Sequence, residues 1–563
     1  SGPLAPNFTG AVVRPDTWVS TSLAPTLEVP DAAGAWTFTV SSVGDDPGGV
    51  PPITFRSSDT RFAMSASDGL RQGDAYVWKA QGADGKTVGG TFQVDVQLRD
   101  AQSIDGTNGL EVGLSSGEGS LTWSSHVMSS VAGEVGFGLR FQGSNPAEAG
   151  VPAGWDLEVA SDSPYSSVVE RTNGTVALVA RNGTTSNYRP SGTGYVPVEL
   201  SSTTPELLGL APVLVRAADK TWSVVAKETT SEFVDDDGDG TAELRTVYSQ
   251  GRAVLSQTST KGRVATVVDP VSKRKIEFVY GGGSCPSTPP GFVAAPKDQL
   301  CRVKFWDGST AEVFYVVAPN GATTIGRLVD RPEAGSGAKV TDLAFDGAGR
   351  IGAVRSPLVA SAVASQVVAD GDDAYLNVLS YDPAGRVATV AQVTAAPGAV
   401  RCTRTYEYSS TRSTAVADSC WGGTVRRIVF DPSTFILLTD TNEVGLTDSY
   451  TWDLRSGHLL RSVGTTGLVT EYTYRNGEVE EIRGPSRDLA TAKVSRTAYD
   501  QEFASSPEGL DMKGLDVVYW PTATASAGSG VRQLGPQVDG RRSQSLLVNW
   551  PASPAGNAGA WSA

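Results

Sequence analysis

The chain has 563 residues, with 46 Lys and Arg against 61 Asp and Glu and a net charge of -15; that balance repels phosphate backbones and anionic lipid surfaces and excludes nucleic acid as an expected partner. No run of about 18 apolar residues is present to span a bilayer, and the length exceeds what one hydrophobic core serves, so several domains or a repeat array are expected. With 63 Gly, 32 Pro and short Val, Thr and aromatic-rich runs ending in Gly, Asp, Asn or Pro, the fold is predicted to be all-β, with no helix of useful length.

In chain order, residues 1–16 are Pro-rich and aperiodic and read as a linker. Residues 17–108 alternate apolar and polar in TWVSTSL, AWTFTVSSV, DAYVWKA and TFQVDVQL, with DDPGG and GADGK as turns, which predicts a β-sandwich. Tyr76 and Trp78 on its penultimate strand give this sandwich a resemblance to fibronectin type III or immunoglobulin-like modules. Residues 109–260 continue as strands, among them LEVGLSS, SLTWSSHV and GEVGFGLRFQG.

The segment DDDGDGTAE brings Asp235, Asp237 and Asp239 before Gly240, with Glu243 beyond. Alternating carboxylates of this kind suit a hard cation with oxygen ligands, and Ca2+ is the one cofactor the sequence suggests. An EF-hand loop would need Glu where Thr246 stands, so the alternatives are a Ca2+ loop of another kind and a solvated acidic turn.

Four cysteines fall into two close pairs, Cys285 with Cys301 and Cys402 with Cys420. Disulfides are the expected state, with buried thiols and a metal pair as alternatives, and they place the protein outside the cytosol. CTRTYEYSSTRSTAVADSC reads as a hairpin with the two sulfurs across its open end. The only histidines are His126 and His458, so a Ser-His-Asp or Cys-His site is not expected, and no nucleophile elbow, phosphate loop or HExxH occurs. His458, in SGHLL, reads as a turn residue.

Residues 261–500 repeat. Tyr408, Phe430, Trp452 and Tyr474 stand at intervals of 22 residues, each ending an alternating run: RTYEY, RIVF, SYTW and EYTY. Two strands and two turns make that length, so the unit is a β-hairpin that is stable only when stacked on its neighbours. YDPAGRV (Tyr381, Asp382, Gly385, Arg386) and FDGAGRI (Phe345, Asp346, Gly349, Arg350) resemble the signature of Rhs or tyrosine-aspartate (YD) repeats, and FDPST, YTWDLRSGHL and EYTYRNGEVEEI are degenerate copies. In this motif Asp is expected to accept from turn N-H groups, Gly to take a positive φ, and Arg to pair with the Asp of its own or a neighbouring repeat. Residues 501–563, with VVYW, VNW and WSA, resemble the first strands of the domain named after anthrax protective antigen, and a longer natural polypeptide is expected.

The resemblance implies a β-ribbon spiralled into a hollow cocoon that holds a C-terminal toxin, as in bacterial polymorphic toxins, insecticidal toxin complexes and teneurin-like proteins. It implies a secreted or cell-surface structural shell and no enzyme, with the toxin as partner. The alternative is an extracellular adhesion or carbohydrate-binding protein with a surface glycan or receptor as partner.

Overall fold

The structure, a computed structural model, describes residues 12–497 apart from internal segments, of which the longest are 43–51, 95–102 and 198–211, and the backbone of four strands between 515 and 551. The described residues are nearly all β, and most of their strands belong to one long antiparallel ladder in which each strand pairs with the next. It divides into two compact units, 1–200 with 212–436, and 201–211 with 437–563.

The first unit opens with a sandwich. One sheet has the order Val19–Ser20, Thr87–Val94, Ala75–Gly82, Trp36–Ser42, Ile53–Ser57, and the other pairs Val12–Val13, Thr26–Glu28 and Arg61–Ala63. The alternation predicted from sequence puts Phe38, Tyr76, Trp78 and Leu27 wholly inside, each such side chain contributing about 1.5–3 kcal/mol.

The strands that follow do something the sequence did not announce. Tyr165–Glu170, Val176–Ala180, Thr185–Ser191, Gly194–Pro197, Val213–Arg216, Trp222–Ala226, Thr229–Val234 and Thr241–Ser249 pair in succession, and the last also pairs with the first through Ser167↔Glu243, Val168↔Ala242 and Val169↔Thr241. The run closes into a ring. Eight strands enclose just enough room for side chains, and Trp222, Tyr188, Phe233 and Val168 fill it with no exposure.

From Thr241–Ser249 the chain proceeds as an antiparallel ribbon, each strand paired with the next, to Val425–Phe430 in the first unit. The second unit holds Leu437–Thr441, Thr447–Asp453, His458–Val463, Val469–Arg475, Glu478–Ser486 and Val494–Thr497, and the strands Leu515–Tyr519 and Ser529–Val538 extend it. Side chains of the protective-antigen-like segment lie outside the described residues.

One expectation is corrected. A helix, Pro357–Ala364, interrupts the ribbon. Ser356 caps it by accepting from the Val359 amide, Pro357 stands in the first turn, and the small residues of PLVASAVA carry good helix propensity.

Candidate functional site at the aspartate turns and the sheet that covers them

The two complete aromatic-aspartate turns have the same construction. The Asp382 carboxylate accepts from the Ala384 and Arg386 amides, both at 2.9 Å, and from Arg386 Nε and Nη2, both at 2.8 Å. Asp346 accepts from the Ala348 and Arg350 amides at 2.9 Å, and from Arg350 Nε at 2.8 Å and Nη2 at 2.6 Å. Gly385 and Gly349 take φ of +85° and +81°, which a side chain would resist. Each Arg pairs with the Asp of its own repeat, so both carboxylate oxygens are engaged within the turn.

The coupling between repeats runs through the next aromatic. Arg350 lies 4.0 Å over the Tyr381 ring, and Tyr381 donates its hydroxyl to the Ile351 carbonyl at 2.7 Å. Arg386 lies 4.6 Å over Tyr408, which donates to Val387 O at 2.8 Å. Arg263, Tyr280 and Val264 O repeat the set, with 5.0 Å and 2.7 Å. In the second unit His458 occupies the Arg place: it stacks on Tyr474 with centroids 4.1 Å apart, and Tyr474 donates to Leu459 O at 2.8 Å. Trp452 Nε1 does likewise to Leu437 O. The rule is that the aromatic at or next to the end of one strand donates to the first or second carbonyl of the return strand before it. His458 therefore begins a strand instead of lying in a turn, and burial lowers its pKa although Asp453 opposes this. Burial, and then the Asp346 charge, raises the Tyr381 phenol well above its usual range.

Over the ribbon of the first unit lies a separate sheet of Ser103–Thr107, Leu110–Gly113, Gly119–Ser124, Phe137–Gln142 and Trp155–Val159. Its tips dock against the Arg-Tyr pairs. A Cβ at Gly117 would stand 2.4 Å from Arg386 Cβ, and the Gly117 carbonyl accepts the Val387 amide at 2.7 Å. A Cβ at Gly150 would meet Tyr280 at 2.8 Å, and Gly150 O accepts the Leu300 amide at 2.8 Å. Only glycine permits either approach. Trp155 Nε1 donates to Thr324 Oγ1, Thr414 Oγ1 donates to Leu114 O, and Phe137 and Phe141 pack edge-on against Phe278 and Phe345.

The same seam brings together a constellation the sequence reading did not expect. His126 Nδ1 lies 2.5 Å from Asp330 Oδ1, its amide donates to Asp330 Oδ2 at 3.2 Å, and its Nε2 lies 2.8 Å from Ser309 Oγ. These are the contacts of a Ser-His-Asp triad. Ser309, however, is only 3% exposed, and its hydroxyl donates to Asp307 Oδ1 at 2.5 Å, away from the imidazole. His126 follows the covering strand Gly119–Ser124 while Ser309 and Asp330 belong to the ribbon, so the three side chains tie one to the other. The arrangement is a polar clamp of sheet to ribbon. Burial pushes the Asp307 carboxyl up, but the hydrogen bonds from the Ser309 side chain and amide outweigh it and hold the group below its usual range.

Of the acidic loop, Asp235 is described and Asp237 and Asp239 are not. Asp235 accepts from the Gly238 amide at 2.6 Å and the Gly240 amide at 3.1 Å. Glu243 lies on the adjoining strand, paired with Val234. Cys285 is bonded to Cys301 and Cys402 to Cys420. Of the aromatics of the 22-residue period, Tyr408 and Phe430 end their strands, and Trp452 and Tyr474 stand one residue before the end.

Fold and turns together define an antiparallel ribbon of β-hairpins whose turns are closed by Asp and Arg and whose neighbours are coupled through the aromatic. No family profile matches this chain and no curated protein does. Among solved structures the chain is similar to the crystal structure of TcdB2-TccC3 without its hypervariable C-terminal region (TM-score 0.27, 10% identity, covering 93% of this chain and 31% of that one). It is similar also to TcdB2-TccC3 (0.25, 11%, 92% and 31%) and to the Photorhabdus luminescens Tc holotoxin pore (0.21, 10%, 90% and 32%). The chain spans about a third of the length of these proteins.

Proposed function

We propose that this chain is part of the wall of a secreted shell, of the Rhs or YD-repeat kind, which encloses a toxin encoded further along the full-length product. The observation that carries this reading is the Arg-Tyr-carbonyl coupling, repeated at Arg263, Arg350 and Arg386. At these places it ties a strand to its successor by local contacts, the kind of coupling that lets a wall lengthen by addition of repeats. No catalysis is assigned to it, because the carboxylates of the turns are saturated by their own backbone and arginines.

The test is electron microscopy of the full-length product together with limited proteolysis. A closed β-shell, with the C-terminal region resistant to protease until the wall is denatured, supports the reading. An extended string of separate domains with an accessible C-terminal region overturns it and makes adhesion, tested by glycan binding, the reading to pursue.

A further inference from the structure

We propose that Cys402, Cys420 and Asp418 form a binding site for a soft divalent cation once the Cys402–Cys420 disulfide is reduced. The ligand atoms of these three residues lie within 4.8 Å of one another. The Cys285–Cys301 pair has no such carboxylate among the described residues.

What makes the dithiol a site is that its geometry does not depend on the S-S bond. Between the cysteines, the Ser419 amide donates to Thr403 O at 3.0 Å and the Thr403 amide to Ser419 Oγ at 2.9 Å. Arg404↔Asp418 continues the ladder inward. These bonds, none of which is the S-S bond, hold the two cysteine Cα atoms 5.5 Å apart, close enough for both thiolates to reach one ion. Asp418 is 4% exposed and is oriented by the Cys420 amide at 2.9 Å, by Gln392 Nε2 at 3.0 Å and by Arg404 Nε at 3.3 Å. Such outer partners fix a ligating carboxylate. Cys420 is exposed, which gives an ion a path in.

A dithiol reductant supplies two electrons and two protons, leaving as its own disulfide, and yields two thiols. Each thiol releases its proton to solvent as it ligates. Two thiolates and one carboxylate leave a fourth position for water, a tetrahedral set of S and O ligands that Zn2+ accepts. The ion would restaple the hairpin Thr403–Tyr408 and Ser413–Asp418 in a reducing compartment.

The experiment is titration of the reduced full chain with Co2+, read by thiolate-to-cobalt absorption, followed by displacement with Zn2+. The expected result is one ion per chain in the reduced protein and none in the oxidised protein. Cys285→Ser with Cys301→Ser should leave binding unchanged, Cys402→Ser with Cys420→Ser should abolish it, and Asp418→Asn should weaken it at least about tenfold. The intensity of the absorption counts thiolates independently of the Asp418 variant's fold. No binding after reduction, binding that survives Cys402→Ser with Cys420→Ser, or a single-thiolate spectrum overturns the proposal.

Discussion

At the scale of single residues, the Asp, Gly and Arg of each turn are legible in YDPAGRV and FDGAGRI, because every bond they make closes within five residues. The aromatic that closes each strand was legible as a core residue but not as a donor. Its partner lies 16 residues upstream for Tyr280 and 21 for Tyr408, so no fixed spacing marks it. The signal that remains is an Arg or His followed by an apolar residue on the preceding return strand. Tyr381→Phe removes the hydroxyl from the Ile351 carbonyl and should cost about 1–2 kcal/mol, measured as a shift in the denaturant midpoint at constant slope. A double-mutant cycle with Arg350→Met should return a coupling of about 0.5–2 kcal/mol; additive losses would mean that the stacked guanidinium contributes nothing. For the acidic loop, Asp235→Asn weakens the acceptor for the Gly238 and Gly240 amides and should destabilise by about 1 kcal/mol in chelator. A loss seen only in added Ca2+ would show that the ion, not the turn, uses this carboxylate.

At the scale of elements, hairpins were legible because their register is local, and the two cysteine pairs because each spans one hairpin or loop. The ring closure, Val168↔Ala242, and the docking of Gly117 and Gly150 on distant Arg-Tyr pairs were not, since a contact across 70 or 270 residues leaves no pattern in either segment. His126 shows the same limit: two histidines made a triad improbable, yet residues 126, 309 and 330 meet. His126→Phe keeps the ring contact with Phe305 but strands Asp330 in a buried seam. It should destabilise the first unit by about 2–4 kcal/mol and expose the segment 103–159 to hydrogen exchange before the ribbon; uniform exchange would mean that the clamp is not local. His458 gives a pH test in the second unit. Its folded pKa is lowered by burial, so the stability it contributes is present above the unfolded value near 6.5 and is lost as pH falls through the lower folded value. The melting temperature of the second unit should therefore drop on acidification below about pH 6.5, and His458→Gln should flatten that dependence.

At the scale of the molecule, a wall made by nearest-neighbour coupling has a property that a single core does not: it can lose one whole unit and remain a wall. In the second unit Trp452 and Tyr474 stand in equivalent places, each donating to the strand before it and each followed by a return strand. Deleting residues 453–474 joins SYTW to RNGEVEEI, leaves strand directions unchanged, and lets Trp452 keep its Leu437 carbonyl. The shortened protein should retain β-sheet circular dichroism and melt within several degrees of the parent. Deleting only residues 453–463 removes a single strand. Every later strand then runs the wrong way against its neighbour, each interstrand contact after that point is lost, and the second unit should fail to fold. If both deletions are equally destructive, the unit is held by a shared core and not by stacked repeats, and the wall is not extendable.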